Sequence, residues 1–152
     1  MSRAITPMSE PARKLVLVAD DEPAIQTLIE RVLIELDLVP VLVGDGAAAI
    51  AAVETHHREL VCAILDIGMP GANGVDAAHV IQRIAPHVAI MLMSGAVPAN
   101  CAGHIARLRL AGMLHKPFLL TTLRELILHA VDDGRTLERN VDLQATLSSI
   151  YE

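Results

Sequence analysis

Short apolar runs alternate along this chain with longer segments that carry apolar residues at helical spacing. A continuous apolar run is typical of a strand buried on both faces, and a 3.6-residue spacing is typical of a helix with one buried face. Repeated strand–helix pairs predict a doubly wound α/β fold whose sheet is mostly parallel. The predicted strands are Lys14–Ala19, Leu38–Val43, Leu60–Leu65, Val88–Met93 and Met113–His115.

Helices are predicted after each of these strands. The first begins near Pro23, which the first turn of a helix tolerates, and its apolar stripe runs to Leu36. The fourth is weak because it contains Gly103 and few apolar anchors. The second and third helices are predicted over Ala47–His56 and Val75–Ile84, and the weak fourth over Ala99–Leu110. The fifth is predicted from an apolar stripe that runs from Leu123 to Val131.

The chain is divided into one domain and two flanking segments. Residues 1–13 are predicted to be a flexible lead-in, residues 14–133 a single domain, and residues 134–152 a tail with an imperfect helical face. The tail is too short for a DNA-binding or enzymatic domain. It is either an added helix that docks a partner or a second copy of the chain, or a frayed extension.

Composition excludes several classes of function. A net charge of −6 argues against a nucleic-acid surface, which needs a clustered basic face. No apolar run is long enough to span a bilayer, and residues 1–13 lack the apolar segment of a secretory signal. The two cysteines are too few for a disulfide framework. We therefore expect a cytoplasmic protein that binds neither nucleic acid nor membrane.

Polar side chains stand where four of the predicted strands end. Asp20 and Asp21 follow the first strand, and the others are Asp66 after the third, Ser94 after the fourth and Lys116 after the fifth. Carboxyl ends of parallel strands share one edge, where ligands bind in such sheets. Crowded carboxylates repel each other unless a cation lies among them, and Mg²⁺ prefers such oxygen ligands. These groups predict a phosphoryl-transfer site with Asp66 as a candidate nucleophile, although Asp66 alone could merely cap the next helix.

In this order, the residues resemble those of the receiver domain of two-component response regulators. The resemblance runs from about Leu15 to Val131 and rests on four motifs, namely Asp20-Asp21, Asp66 with Met69-Pro70-Gly71, Ser94, and Lys116-Pro117-Phe118. It implies a flavodoxin-like (βα)5 fold with five parallel strands in the order 2-1-3-4-5.

The resemblance also implies a role for each motif residue. Asp66 would be the phosphoacceptor, and Lys116 would pair with it at rest and with the phosphoryl group after transfer. Ser94 would move toward the phosphoryl oxygens. Mg²⁺ would be held by Asp21 directly, by Asp20 mainly through water, by Asp66, and by the backbone carbonyl of Gly68.

The function implied is that of a stand-alone response regulator. It would take a phosphoryl group from a histidine kinase or a histidine phosphotransfer protein, and it would signal to a downstream protein or pass the group along a relay. It would promote only its own phosphorylation and dephosphorylation. An external-substrate hydrolase would need an acid–base carboxylate where Gly68 stands. The alternative is a scaffold or homodimerisation module that works without phosphorylation.

Two departures from the family pattern affect the expected switch. Met113 occupies the position, three residues before Lys116, where the family usually has Tyr or Phe. Methionine is flexible and lacks the two defined positions of a ring, so Met113 cannot report the Ser94 movement in the usual way. Gly68 and Ala96, each two residues after a motif residue, are small and leave the phosphoryl group open to water or a partner.

Overall fold

The computed structural model describes residues 13–69, 71, 73–97 and 99–132. The predicted tail over 134–152 lies outside the described residues, as does nearly all of the lead-in over 1–13. Both of these assignments stay predictions.

Five parallel strands, numbered along the chain, form a single sheet in the order 2-1-3-4-5. This confirms the predicted fold class and the strand order that the resemblance implied. Because the first and third strands are neighbours, the carboxylates at their carboxyl ends are brought together. The strands are β1 (Leu15–Ala19), β2 (Val39–Val43), β3 (Leu60–Asp66), β4 (Ala89–Ser94) and β5 (Leu110–His115).

Helices cover both faces of the sheet, as a doubly wound fold requires. One buried cluster joins the sheet to the second and third helices of the chain, and the opposite cluster joins it to the first and fifth. No helix among residues 13–132, as far as these are described, has the length and apolar character to cross a membrane. The helices are α1 (Pro23–Glu35), α2 (Gly46–His56), α3 (Gly74–Ile84), α4 (Ala102–Ile105) and α5 (Leu120–Val131).

Local sequence explains where these elements begin. Pro23 occupies the first turn of α1, as predicted. The side chain of Asp45 caps α2 by accepting from the Ala48 amide at 2.7 Å, and that of Asn73 caps α3 by accepting from the Asp76 amide at 3.0 Å. The second of these caps sets the point at which the chain turns back after Asp66.

The predicted helix over Ala99–Leu110 is wrong in its extent. A 3₁₀ turn spans Ala99–Cys101, the α-helix that follows contains only Ala102–Ile105, and β5 already begins at Leu110. Leu110 pairs with Ile90 of β4 and is buried. Strand pairing therefore takes the end of the segment that was predicted to be a weak helix, and β5 is three residues longer than predicted.

Both cysteines are free and buried. Cys62 lies in β3, where burial raises the pKa of its thiol from 9.0 to about 12. The thiol is therefore protonated at neutral pH, and Cys62 packs as a small apolar side chain.

Candidate functional site

Three polar or charged side chains are buried in the described part of the chain, and all three lie at the same edge of the sheet. They are Asp20 at 0% exposure, Asp66 at 5% and Ser94 at 2%, at the carboxyl ends of β1, β3 and β4. A buried carboxylate is costly unless a charge or hydrogen bond compensates it. Two buried carboxylates at the same edge of the sheet therefore indicate a functional site there.

Lys116 links the carboxylates of this edge. Its Nζ lies 2.9 Å from Oδ2 of Asp20 and 3.2 Å from Oδ2 of Asp66. The backbone amide of Lys116 donates to the carbonyl of Ser94 at 2.8 Å, which ties the lysine to the end of β4. Lys116, which begins the last motif of the chain, is thus in contact with Asp20, which begins the first.

Asp66 is fixed through both its side chain and its backbone. Oδ1 accepts from the Gly68 amide at 3.1 Å, while Oδ2 accepts from Lys116. On the backbone side, the amide of Ile67 donates to the carbonyl of Met93 at 2.9 Å. The carboxylate is therefore presented at a defined place on the sheet edge.

A cluster of carboxylates surrounds this place. Asp20, Asp21, Glu22 and Asp66 each offer one oxygen, and these oxygens lie within 4.8 Å of one another. Asp21 and Glu22 are exposed, whereas the other two are buried. The cluster therefore offers hard oxygen donors, and Asp21 and Glu22 form the part of it that is exposed to solvent.

Burial and charge act in opposite directions on the ionisable groups here. Burial raises the pKa of Asp20, the Asp66 charge adds to the rise, and hydrogen bonds from the Glu22 amide and Lys116 counteract it. Partial burial lowers the pKa of Lys116, but its carboxylate partners outweigh that effect and the pKa is raised. Folding therefore favours the protonated form of Asp20. The stability that this protonated carboxyl contributes is present below pH 3.8 and is lost as the pH rises above it.

Ser94 adds a buried hydroxyl to this edge of the sheet. Its Oγ is buried and has no hydrogen-bond partner among the residues described. Ser94 follows Met93, which pairs in register with Asp66. An unpartnered buried hydroxyl beside a carboxylate is a position where a ligand oxygen would complete the hydrogen bonding.

Three residues of this edge received no role from the sequence. Glu22 pairs with Lys116 at 3.1 Å. Gln26, one turn into α1, donates to the carbonyls of Asp20 at 2.6 Å and Val43 at 2.8 Å, and so ties β1 to β2. Gly74 lies against the Asp66 backbone so closely that a Cβ would be 2.7 Å from its carbonyl carbon. Glu22 alone had a signal in the sequence, since it directly follows Asp20-Asp21.

The residues that depart from the family pattern have ordinary environments. Met113 is half-buried and packs against the cluster that includes α2 and α3. Gly68 and Ala96 are exposed. A Cβ at Gly68 would lie 3.7 Å from Oδ1 of Asp66, so a side chain there would stand beside the carboxylate.

Comparisons with known proteins agree with this geometry. The family model of the response regulator receiver domain matches residues 16–128. The chain is 29% identical over 112 residues to the autoinducer 1 sensor kinase/phosphatase LuxN of Vibrio campbellii, covering 74% of this chain but only 13% of LuxN. The signal receiver domain of NarL from Mycobacterium tuberculosis has a TM-score of 0.69 at 25% identity, covering 82% of this chain and all (100%) of that one. Response regulator protein TrrA from Thermotoga maritima, in complex with Mg²⁺-BeF, has a TM-score of 0.67 at 25% identity. The match covers 77% of this chain and 98% of TrrA.

Proposed function

Because the chain belongs to the response regulator receiver domain family, we propose that Asp66 accepts a phosphoryl group from a phosphohistidine donor. One observation carries the proposal. The Asp66 carboxylate is held between the Gly68 amide and the Lys116 ammonium, and the buried Ser94 hydroxyl at the end of the neighbouring strand has no hydrogen-bond partner among the described residues. This arrangement supplies a nucleophile and two groups that can bind the oxygens of a phosphoryl group.

The transfer needs little covalent help from the protein. An Asp66 carboxylate oxygen forms the new P–O bond as the P–N bond of the donor breaks. The electron pair of the broken bond stays on the donor's ring nitrogen, and a proton on the other ring nitrogen makes neutral imidazole the leaving group. Lys116 and Ser94 then donate hydrogen bonds to the phosphoryl oxygens, so positioning and charge neutralisation provide most of the catalysis.

The residues present fit a magnesium ion. Asp21, with Asp20 and Asp66, would hold it, and the backbone carbonyl of Gly68 stays a predicted ligand. The fit rests on the four clustered carboxylates and on the unfavourable ionisation of buried Asp20, which a nearby cation would relieve. When bound, Mg²⁺ neutralises negative charge on the phosphoryl oxygens and on the carboxylates.

Millimolar Mg²⁺ is expected to raise the melting temperature of the chain. A ligand that binds only the folded state at ten times its Kd stabilises it by ~1.4 kcal/mol, or roughly 5 °C for a domain of this size. Thermal unfolding in EDTA and in Mg²⁺ at constant ionic strength measures the shift. Asp21→Asn should lose most of it, whereas Asp76→Asn, an exposed acidic residue on α3 outside the cluster, should keep it. An equal shift in both variants would exclude this metal site.

The partners follow from the same chemistry. We propose a histidine kinase or histidine phosphotransfer protein as donor and a protein as the recipient of the signal, with the chain acting in the cytoplasm as a single-domain regulator. It would be a catalyst only of its own phosphorylation and dephosphorylation.

Labelling with a small phosphoryl donor tests the proposal directly. The full chain is incubated with acetyl phosphate and Mg²⁺ and weighed by intact mass spectrometry, with Asp66→Asn as the variant and Asp76→Asn as the matched control. We expect one phosphoryl group on the wild-type chain and on Asp76→Asn, and none on Asp66→Asn. Hydroxylamine should remove the group, as it does from an acyl phosphate.

Two outcomes would reject phosphorylation of Asp66. One is the absence of any adduct on a folded wild-type chain, which would favour the scaffold or homodimerisation alternative. The other is an adduct that persists in Asp66→Asn, which would place the phosphoryl group on another residue.

A further inference from the structure

The Lys116 ammonium is fully occupied by carboxylates. It has three N–H donors, and its Nζ lies 2.9 Å from Asp20, 3.1 Å from Glu22 and 3.2 Å from Asp66. The three partners differ in exposure, since the side chain of Glu22 is 61% accessible, that of Asp66 7% and that of Asp20 0%. A new acceptor on Asp66 can therefore bind Lys116 only when one of these partners is released.

Release of Glu22 is the least costly of the three exchanges. A freed Glu22 carboxylate is hydrated at once because it lies in solvent, whereas a freed Asp20 carboxylate would remain buried without its cation. Asp66 itself carries the incoming group and stays beside the lysine.

We propose that Glu22 restrains phosphorylation by occupying one donor of Lys116 in the resting protein and yielding that donor to the phosphoryl group on Asp66. The inference rests on the proposed function and adds a positioning residue to it. Glu22 acts on the reacting group only through Lys116, in competition with the group that the lysine must bind.

Glu22 can be changed without disturbing the fold. Its side chain makes no capping hydrogen bond at the start of α1. The hydrogen bond from its backbone amide to Oδ1 of Asp20, at 2.8 Å, does not depend on the side chain. A change of rate in a Glu22 variant would therefore not come from loss of the helix start.

A matched control lies at the other end of the same helix. Glu35 is the last residue of α1, its side chain is 60% exposed, and it forms an ion pair with Arg124 at 2.6 Å. Glu35→Gln removes one negative charge and breaks one ion pair, as Glu22→Gln does, but it leaves Lys116 untouched. Any effect of net charge alone should appear in both variants.

The experiment compares phosphorylation rates of full-length chains with acetyl phosphate at saturating Mg²⁺, followed by intact mass spectrometry. We expect Glu22→Gln to react about fivefold faster than the wild type, the rate equivalent of one partly exposed ion pair. Glu35→Gln should react at the wild-type rate. Glu22→Asp keeps the charge but has a shorter side chain, so it should also react faster if Lys116 is the point of competition. Melting temperatures of all variants should lie close to that of the wild type.

Several results would overturn this role of Glu22. A wild-type or slower rate for Glu22→Gln would show that the carboxylate does not restrain the reaction. Equal acceleration by Glu35→Gln, or a wild-type rate for Glu22→Asp beside a fast Glu22→Gln, would assign the effect to charge rather than to the Lys116 donor. In each case a wild-type adduct on Asp66 would leave the proposed function intact, whereas absence of that adduct would reject both.

Discussion

A Lys116→Met variant is expected to have a free energy of unfolding about 3 kcal/mol lower than the wild-type chain when divalent cations are removed. Methionine approximates the length of the lysine side chain but leaves Asp20 and Asp66 without the ammonium that bridges them at 2.9 and 3.2 Å. Both carboxylates are buried, so water compensates poorly for the lost partner. Urea unfolding in EDTA, followed by circular dichroism, measures the loss.

Mg²⁺ should raise the free energy of unfolding more in Lys116→Met than in the wild type, because the variant site carries one more uncompensated negative charge. The control is Arg124→Met, which breaks the exposed pair with Glu35 and should cost less than ~0.5 kcal/mol. Similar losses in the two variants would show that Lys116 does not compensate buried charge. A Mg²⁺ effect no larger than in the wild type would argue against a cation among these carboxylates.

The same variant should also label poorly with acetyl phosphate, since no ammonium is left to bind the phosphoryl oxygens. Stability and labelling can be separated by measuring the rate in Mg²⁺, where the variant is folded. A normal rate there would restrict Lys116 to a structural role.

The sheet could be predicted from the sequence because its inner strands β1, β3 and β4 are buried on both faces. In β1, residues 16–19 are fully buried, with alternate side chains in the two opposite clusters, so a continuous apolar run was an adequate signal. The segment from Ala99 to Leu110 gave no such signal, because Ile105 and Leu108 have helical spacing whereas Leu108 and Leu110 have strand spacing. Pairing of Leu110 with Ile90 decides between them, and the local pattern does not contain that pairing.

The residues of the site can likewise be separated into those that the sequence predicts and those whose role only the folded chain reveals. Convergence of Asp20, Asp66 and Lys116 was predictable because each ends a parallel strand, and strand ends share an edge. The contact of Glu22 with Lys116 joins residues 94 positions apart and depends on how α1 leaves the sheet. Gly74 was equally hidden, since its importance comes from an approach of α3 to the Asp66 backbone that only the folded chain defines.

Gly74→Ala is expected to damage the site as well as the fold. A Cβ at Gly74 would overlap the carbonyl oxygen of Asp66 and would lie 2.7 Å from its carbonyl carbon and 3.1 Å from the Ile67 nitrogen. All of these are backbone atoms, which cannot rotate away as a side chain could. Gly74 does not have a positive φ, so the clash and not backbone strain is the cause. We expect a loss of about 3 kcal/mol, at the upper end for overpacking.

The phosphorylation rate of Gly74→Ala should fall between about ten- and a hundredfold, because the peptide that must shift carries the phosphoacceptor. Gly103→Ala is the matched control, since Gly103 also lies in a helix but a Cβ added there would meet no atom within 4 Å. Alanine there should leave both the rate and the fold unchanged or slightly stabilise the chain. If Gly74→Ala were destabilised yet labelled at the wild-type rate while folded in Mg²⁺, the close approach would serve packing alone. If it matched Gly103→Ala in both measurements, α3 would not press on the Asp66 backbone at all.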